Sequence, residues 1–282
     1  MAEPSRKRSK KRQFSGNHQR SWLWGHHAVT ETLLTGKWPV VEIFFSQQAF
    51  DRFSDLFIVQ RNKGIPCHVT DSSRLEQLSG SAEHQGLVVR LGPFPYQTMV
   101  SFEDHLKDLT SARSNAGTSN PESRASRPLV VICDRIQDAF NFGAILRCCD
   151  GASVIGVVVG EHSQAEVTPH VVRSSSGAVN HIPIVKVNDL LAAALRLQRN
   201  GFQLVAADAN TTSTIWDADL GGAIALVIGS EATGIAPELL AICDQKRCIP
   251  MQGKVTSLNA AVATGIILYE IRRQQVARSI KT

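Results

Sequence analysis

Apolar residues recur along this chain in two rhythms, and the change between them marks how it is organised. From Trp22 to about Pro95 short helical and strand patterns alternate. HAVTETLLTG (27–36) sets Val29, Leu33 and Leu34 on one helical face and stops at Gly36. VVEIFFSQ (40–47) is β-branched and aromatic, which predicts a strand. FDRFSDLFIVQRNKG (50–64) repeats apolar residues at helical spacing, with Asp51 as a start signal and Gly64 as a C-cap. IPCHVT, SSRLEQLSG and GLVVRLG complete a small αβαβαβ layer over residues 21–95.

The next stretch breaks the rhythm. After a short helical pattern, SFEDHLKDL (101–109), comes SARSNAGTSNPESRASRP (111–128), which contains no large apolar residue. Such a composition buries no face, so residues 96–128 read as a linker. From Leu129 the chain alternates strand and helix through to residue 282: PLVVICD, NFGAILRCCDGA, SVIGVVVG, TPHVVRSSSGA, HIPIVKV, NDLLAAALRLQRNG, FQLVAADA, AIALVIGS, APELLAICD and RCIPM. A last helix is expected from about Ser257 to Ala277. The strands are near-continuous apolar runs, the pattern of strands buried on both faces. The fold class is therefore α/β, with a parallel sheet in the larger, C-terminal domain (129–282).

Composition refines this picture without changing it. An apolar fraction of 43% and a charged fraction of 20% over 282 residues fit globular domains. No run of about eighteen apolar residues occurs, so no membrane span is expected. The net charge of +5 is local: residues 1–20 carry seven Lys or Arg against one Glu, and the other 262 residues sum to −1. That basic tail reads as a solubilising arm, as an arm contacting nucleic-acid phosphates, or, least well, as a transit peptide. It lacks the apolar core of a secretory signal. Cys67, Cys133, Cys148, Cys149, Cys243 and Cys248 form no C-x-x-C pair and read as free buried thiols of a reducing compartment. The nine histidines lack ligand spacing, so no metal is expected.

In open parallel sheets ligands bind beyond the carboxyl ends of strands, which directs attention to polar and glycine residues there. Three places stand out. Beyond PLVVICD lies RIQDAFNFGAILR, with Asn141 and Arg147; Gly143 between them is either a phosphate-cradling turn or a residue that makes room. Beyond AIALVI lies GSEATG (229–234), two glycines around Glu231 that admit close backbone approach. Beyond RCIPM lies QGKVTSLN, in which Ser257 is a candidate N-cap and Asn259 an unusual polar residue in a small-residue helix. Each taken singly is also explained by an ordinary cap, turn or surface residue. Neither G-x-G-x-x-G nor G-x-x-x-x-G-K-[ST] is present, which removes the main support for dinucleotide and P-loop readings.

In this order the three stretches carry more. N-x-G-x-x-x-R (141–147), G-x-E-x-x-G (229–234) and I-P-M…S-L-N (249–259), followed by a helix reaching LYE (268–270), resemble the motifs of the SpoU (TrmH) family. These are 2′-O-ribose RNA methyltransferases of the SPOUT superfamily. WGHHAVTETL (24–33) and HQGLVV (84–89) are similar to the family's small N-terminal substrate-binding domain, which resembles ribosomal RNA-binding proteins. The resemblance implies a deep trefoil knot in the catalytic domain, S-adenosylmethionine as cofactor, a homodimer and a cytoplasmic location. It implies a cofactor site of Gly229, Glu231, Gly234, Ile249, Met251, Ser257, Leu258 and Asn259. It implies catalytic roles for Asn141, Arg147, Glu231 and Asn259, and an RNA contact from Arg147; Arg173 and Ser176, between the first two motifs, read equally as RNA-phosphate contacts or as a solvated helix end. The substrate it implies is structured RNA, a guanosine of 23S rRNA ahead of a tRNA. A non-catalytic RNA-binding assembly factor remains the contrasting class.

Two departures stand against the resemblance. The family commonly continues S-L-N with V-S, where this chain has Ala260-Ala261, so one hydroxyl is missing. The family's D-P-x-N is here Asp138-Ala139-Phe140-Asn141, which loses the stiffness of the proline. Arg147 reads either as the base or as a clamp on the neighbouring phosphate, since a guanidinium with a pKa above about 12 is an awkward base.

Overall fold

The computed structural model describes residues 21–115 and 127–280. The basic tail and most of the 111–128 stretch lie outside the described residues. The chain forms two compact units, one of residues up to His26 with Val40–Gly92, the other of His27–Pro39 with Pro93 onward.

The first unit is built on a four-stranded mixed sheet, in the order β1 (Trp22–Trp24), β4 (Leu87–Leu91), β2 (Val40–Phe45), β3 (Cys67–Val69). β1 and β2 run antiparallel to β4, and β3 runs parallel to β2. β1 was not expected, because three residues are too few to show a period. Trp22 and Trp24 pack with Val88 and with Leu75 and Leu78 of α4 (Ser72–Ser79), which makes them core. The expected single helix over 50–64 is two, α2 (Gln47–Arg52) and α3 (Ser54–Asn62), broken at Phe53. Asp51 does not start it. The Ser46 side chain accepts from Ala49 N and caps α2 one turn earlier, while Asp51 accepts from the Gln47 amide. Gly64 follows the second helix at φ +79°, as a C-terminal glycine should.

Helix α1 (His26–Thr35) crosses to the second unit from His27 onward. Val29 and Leu33 are buried there, whereas Leu34, expected on the same face, is exposed. Buried Thr32 accepts from Asn180 Nδ2 at 3.1 Å, and Glu31 pairs with His181 at 2.8 Å.

The second unit holds a six-stranded, wholly parallel sheet in the order β10–β8–β9–β5–β6–β7. The strands are β5 (Leu129–Asp134), β6 (Gly156–Gly160), β7 (Ile184–Val187), β8 (Gln203–Ala207), β9 (Ile224–Gly229) and β10 (Gln245–Arg247). Every residue of β5 is buried, as its unbroken apolar run predicts. The chain winds outward through β6 and β7, then returns to the other side of β5. The reversal therefore falls between β5 and β9, where Asp134 and Gly229 are partners in register. Crevices at such points are where α/β sheets bind ligands. β10 lies slightly before the expected RCIPM, which leaves Ile249–Met251 in irregular chain.

Helix α5 (Met99–Asn115) is longer than the expected 101–109, and its Met99, Phe102 and Leu106 belong to the core. α6 (Ala139–Gly151) is capped by Asp138, whose carboxylate accepts from Asn141 N at 2.7 Å. α7 (Pro169–Ser174) packs against α6 at Gly143, where a Cβ would run into the Ser174 side chain. Of the two readings of Gly143, room-making holds. α8 (Leu190–Arg199) and α9 (Pro237–Ala241) follow, and α10 (Ala260–Ile280) closes the chain. All six cysteines are free thiols, but only Cys133 and Cys149 are buried, and burial pushes the Cys133 thiol up to about 12.

Candidate active site

β8, β9 and β10 are parallel, so their carboxyl ends open on the same side of the sheet. The loops that leave them enclose a cavity of about 450 Å³. That volume lies within the ~300–1,000 Å³ typical of small-molecule sites. Its buried lining is apolar, with Ile228 and Ile267, and Asp208, Glu231 and Arg247 bring charge to it.

One wall is the turn after β9. A Cβ on Gly229 would run into the backbone of Gly234 and Ile235, so only glycine lets the chain fold back there. Gly234 takes φ +66°, and its N–H donates to Ser230 O at 2.8 Å. Asp134, at the end of β5 and 3% exposed, holds this turn from below. Its carboxylate accepts from Ala236 N at 2.6 Å and from Arg135 at 2.9 and 3.1 Å, and Arg135 also donates to Gly234 O at 3.3 Å. Arg135 carries φ +60°, a conformation costly for a side-chain-bearing residue and maintained by these bonds.

The other wall is the irregular chain from Ile249 to Leu258. Among the described residues, none of these ten makes a hydrogen bond to the protein, although Ile249, Met251, Ser257 and Leu258 line the cavity. Backbone donors and acceptors there are left for water or a ligand. The segment ends at the cap of α10. That cap is Asn259 and not Ser257: Asn259 Oδ1 accepts from Ala261 N at 2.9 Å and Val262 N at 3.3 Å. An Asn serves here because its amide can accept and donate at once.

The donating half of that amide joins the three motifs. Asn259 Nδ2 donates to Asn141 Oδ1 at 2.9 Å, and Asn141 Nδ2 donates to Glu231 Oε1. Residues 90 and 118 positions apart in sequence thus form one chain of side-chain hydrogen bonds beside the cavity. Of the eight expected cofactor residues, seven line the cavity, and Asn259 reaches its rim through this relay. Arg147 lies outside it. It is exposed on α6 and makes no hydrogen bond or ion pair among the described residues, so Glu231 holds Asn141 and not the arginine. Arg173 and Ser176 are exposed at the end of α7 and just beyond, Ser176 at φ +52°. The sequence reading passed over Asp208 and Asn210, which line the cavity after β8; they obey the same rule of polar residues beyond a strand.

A ligand-sized cavity at the carboxyl ends of a parallel sheet, flanked by a carboxylate–amide relay, is the arrangement of an α/β protein with a small-molecule site. Residues 128–269 match the profile of the SpoU rRNA Methylase family, and residues 22–97 match that of RNA 2'-O ribose methyltransferase substrate binding. A putative TrmH family tRNA/rRNA methyltransferase of Staphylococcus aureus is 30% identical over 252 residues, covering 89% of this chain and 95% of that protein. An uncharacterized tRNA/rRNA methyltransferase of Synechocystis is 31% identical over 255 residues, which is 90% of this chain and 62% of that longer protein. Among solved structures, an AdoMet-bound rRNA methyltransferase from Sinorhizobium meliloti superposes with a TM-score of 0.71 at 22% identity, over 91% of this chain and 88% of that one, a likeness of fold. The chain belongs to the SpoU family of S-adenosylmethionine-dependent RNA methyltransferases.

Proposed function

We propose that this protein transfers a methyl group from S-adenosylmethionine to the ribose 2′-hydroxyl of a guanosine in 23S rRNA. The observation that carries the reading is the Glu231–Asn141–Asn259 relay beside the cavity, since it joins all three motifs at one place. The substrate-binding match over 22–97 supports the 2′-O assignment, and the SpoU rRNA Methylase match supports rRNA.

The cavity suits the cofactor. Its unpaired 249–258 backbone offers the donors and acceptors an adenosine requires, its apolar lining suits the adenine ring, and Asp208 and Glu231 set carboxylates beside a cationic ligand. When bound, S-adenosylmethionine supplies an electrophilic methyl carbon. The chain's own residues do the rest. Gly229, Glu231 and Gly234 form the fixed wall; Ile249, Met251, Ser257 and Leu258 form the wall that closes on the ligand. Asn141, locked at both ends of its amide, holds the reaction surface in place. Arg147 clamps the phosphate next to the target ribose, and Arg173 and Ser176 extend that contact. The hydroxyl proton leaves to a phosphate oxygen or water, because a guanidinium is a poor base. Most of the acceleration then comes from positioning.

In the same proposal, residues 21–95 and the basic tail bind RNA, the chain after β10 is threaded into a trefoil knot, and the protein works in the cytoplasm as a homodimer. The dimer is supported by Val262, Tyr269 and Val276, exposed at 52%, 58% and 47% and spaced seven apart along α10. A stripe of that kind suits a partner helix.

Arg147→Ala tests the division of labour. Methyl transfer should fall roughly 100- to 1,000-fold, as when a charge-stabilising donor is removed. Calorimetric titration should give an S-adenosylmethionine affinity near that of the unaltered protein. A matching collapse of cofactor affinity would contradict the clamp, and absence of cofactor binding by the unaltered protein would sink the enzyme reading.

A further inference from the structure

The cavity and relay account for Asn141 but not for its neighbour. Phe140 is 67% exposed, one of the most exposed large apolar side chains among the described residues. A lone exposed apolar residue carries no meaning by itself. Three observations give this one meaning. The chain on either side of it is held: Asp138 caps the helix through Asn141 N, and the Ser174 hydroxyl packs against Ala139 O at 3.2 Å, sharing its one proton with His170 O at 2.9 Å. Phe140 therefore protrudes from a fixed support. Arg147 follows seven residues later, so the two side chains share one face of α6, about 10 Å apart along its axis. Arg147 makes no hydrogen bond or ion pair among the described residues. A third residue, Asn141, anchors that helix end to the cavity wall through Glu231.

We propose that Phe140 is a stacking platform for an unpaired nucleobase of the RNA substrate, beside the phosphate that Arg147 holds. An aromatic face next to an unpaired guanidinium is the pairing that single-stranded RNA recognises: the ring stacks on a base of any identity, and the cation meets the backbone. Within an RNA helix the 2′-hydroxyl lies along the shallow minor groove, where stacked and paired neighbours fix the orientation of its sugar. A base drawn out onto Phe140 would splay the strand and present the adjacent sugar. Phe140 is thus a substrate-positioning residue, and its effect belongs in RNA affinity and not in the cofactor site.

The inference rests on the RNA-methyltransferase reading, and the test separates the two. KM and kcat for deproteinised 23S rRNA, RNA affinity by filter binding, cofactor affinity by calorimetry and oligomeric state by sedimentation are compared for Phe140→Ala, Phe140→Leu and Phe140→Trp. Ala and Leu should raise KM and RNA Kd about tenfold, the size of one lost stacked base, with kcat within about twofold. Trp should restore both, with cofactor affinity and oligomeric state unchanged throughout. Restoration by Leu would mean apolar contact in place of stacking and would overturn the proposal. So would dissociation of a dimer by Ala, which would assign the residue to a protein interface. Unchanged RNA kinetics in an active Phe140→Ala protein would sink the stacking role alone. Unaltered protein that methylates no RNA would remove the wider reading with it.

Discussion

The two walls of the cavity come from stretches of similar character in sequence, both glycine-bearing and both following a strand, yet they are built in opposite ways. The 229–236 wall is over-determined. Its turn closes on itself, Asp134 and Arg135 grip it from β5, and Asn141 holds Glu231. The 249–258 wall makes no hydrogen bond of its own among the described residues. The first wall is finished by the protein, and in the proposed function the second is completed by the ligand. Keeping one wall preorganised limits the ordering that binding must impose to the other.

The same substitution on each wall should therefore give opposite outcomes. Gly229→Ala places a Cβ against the backbone of Gly234 and Ile235, and the turn must shift. Its cofactor affinity should fall roughly 10- to 100-fold, the range of an overpacked site, measured by calorimetry. Gly253→Ala meets nothing within 4 Å. It should bind cofactor within about twofold of the unaltered protein and gain up to about 1 kcal/mol in chemical denaturation, from a stiffer unfolded chain. Equal losses in the two variants would erase the distinction. A smaller, local effect sharpens it further: on adding S-adenosylmethionine, amides of 249–258 should gain hydrogen-exchange protection while those of 230–236 change little. Protection gained mainly by the first wall would reverse the assignment.

Much of this arrangement is legible in the sequence. β5 and β9 could be read directly because both faces of each strand are covered, so their apolar runs are unbroken. Where length or local competition decides, the sequence was mute or misleading. Trp22–Trp24 is too short to show a period, and Ser46 outcompetes Asp51 as a cap by one turn. Ser257 and Asn259 are both good caps in composition, and only the geometry of α10 shows which side-chain oxygen meets the free N–H groups. The motifs named the relay's members but not its wiring, because a bond between positions 90 residues apart has no local signature. Glu231 holds Asn141, a partner that neither motif announces. Asp134 was passed over for a related reason: a buried carboxylate at a strand end looks like any strand terminator until the turn it grips is seen.

The central claim is a chemical one, and the product decides it. Purified protein would be incubated with S-adenosylmethionine carrying an isotopically labelled methyl group and with rRNA and tRNA, in separate reactions, from cells lacking the gene. The RNA would then be digested to nucleosides and analysed by mass spectrometry. Label in 2′-O-methylguanosine from the 23S rRNA reaction is the predicted result. Label on a base, or no label in either RNA, would contradict the account.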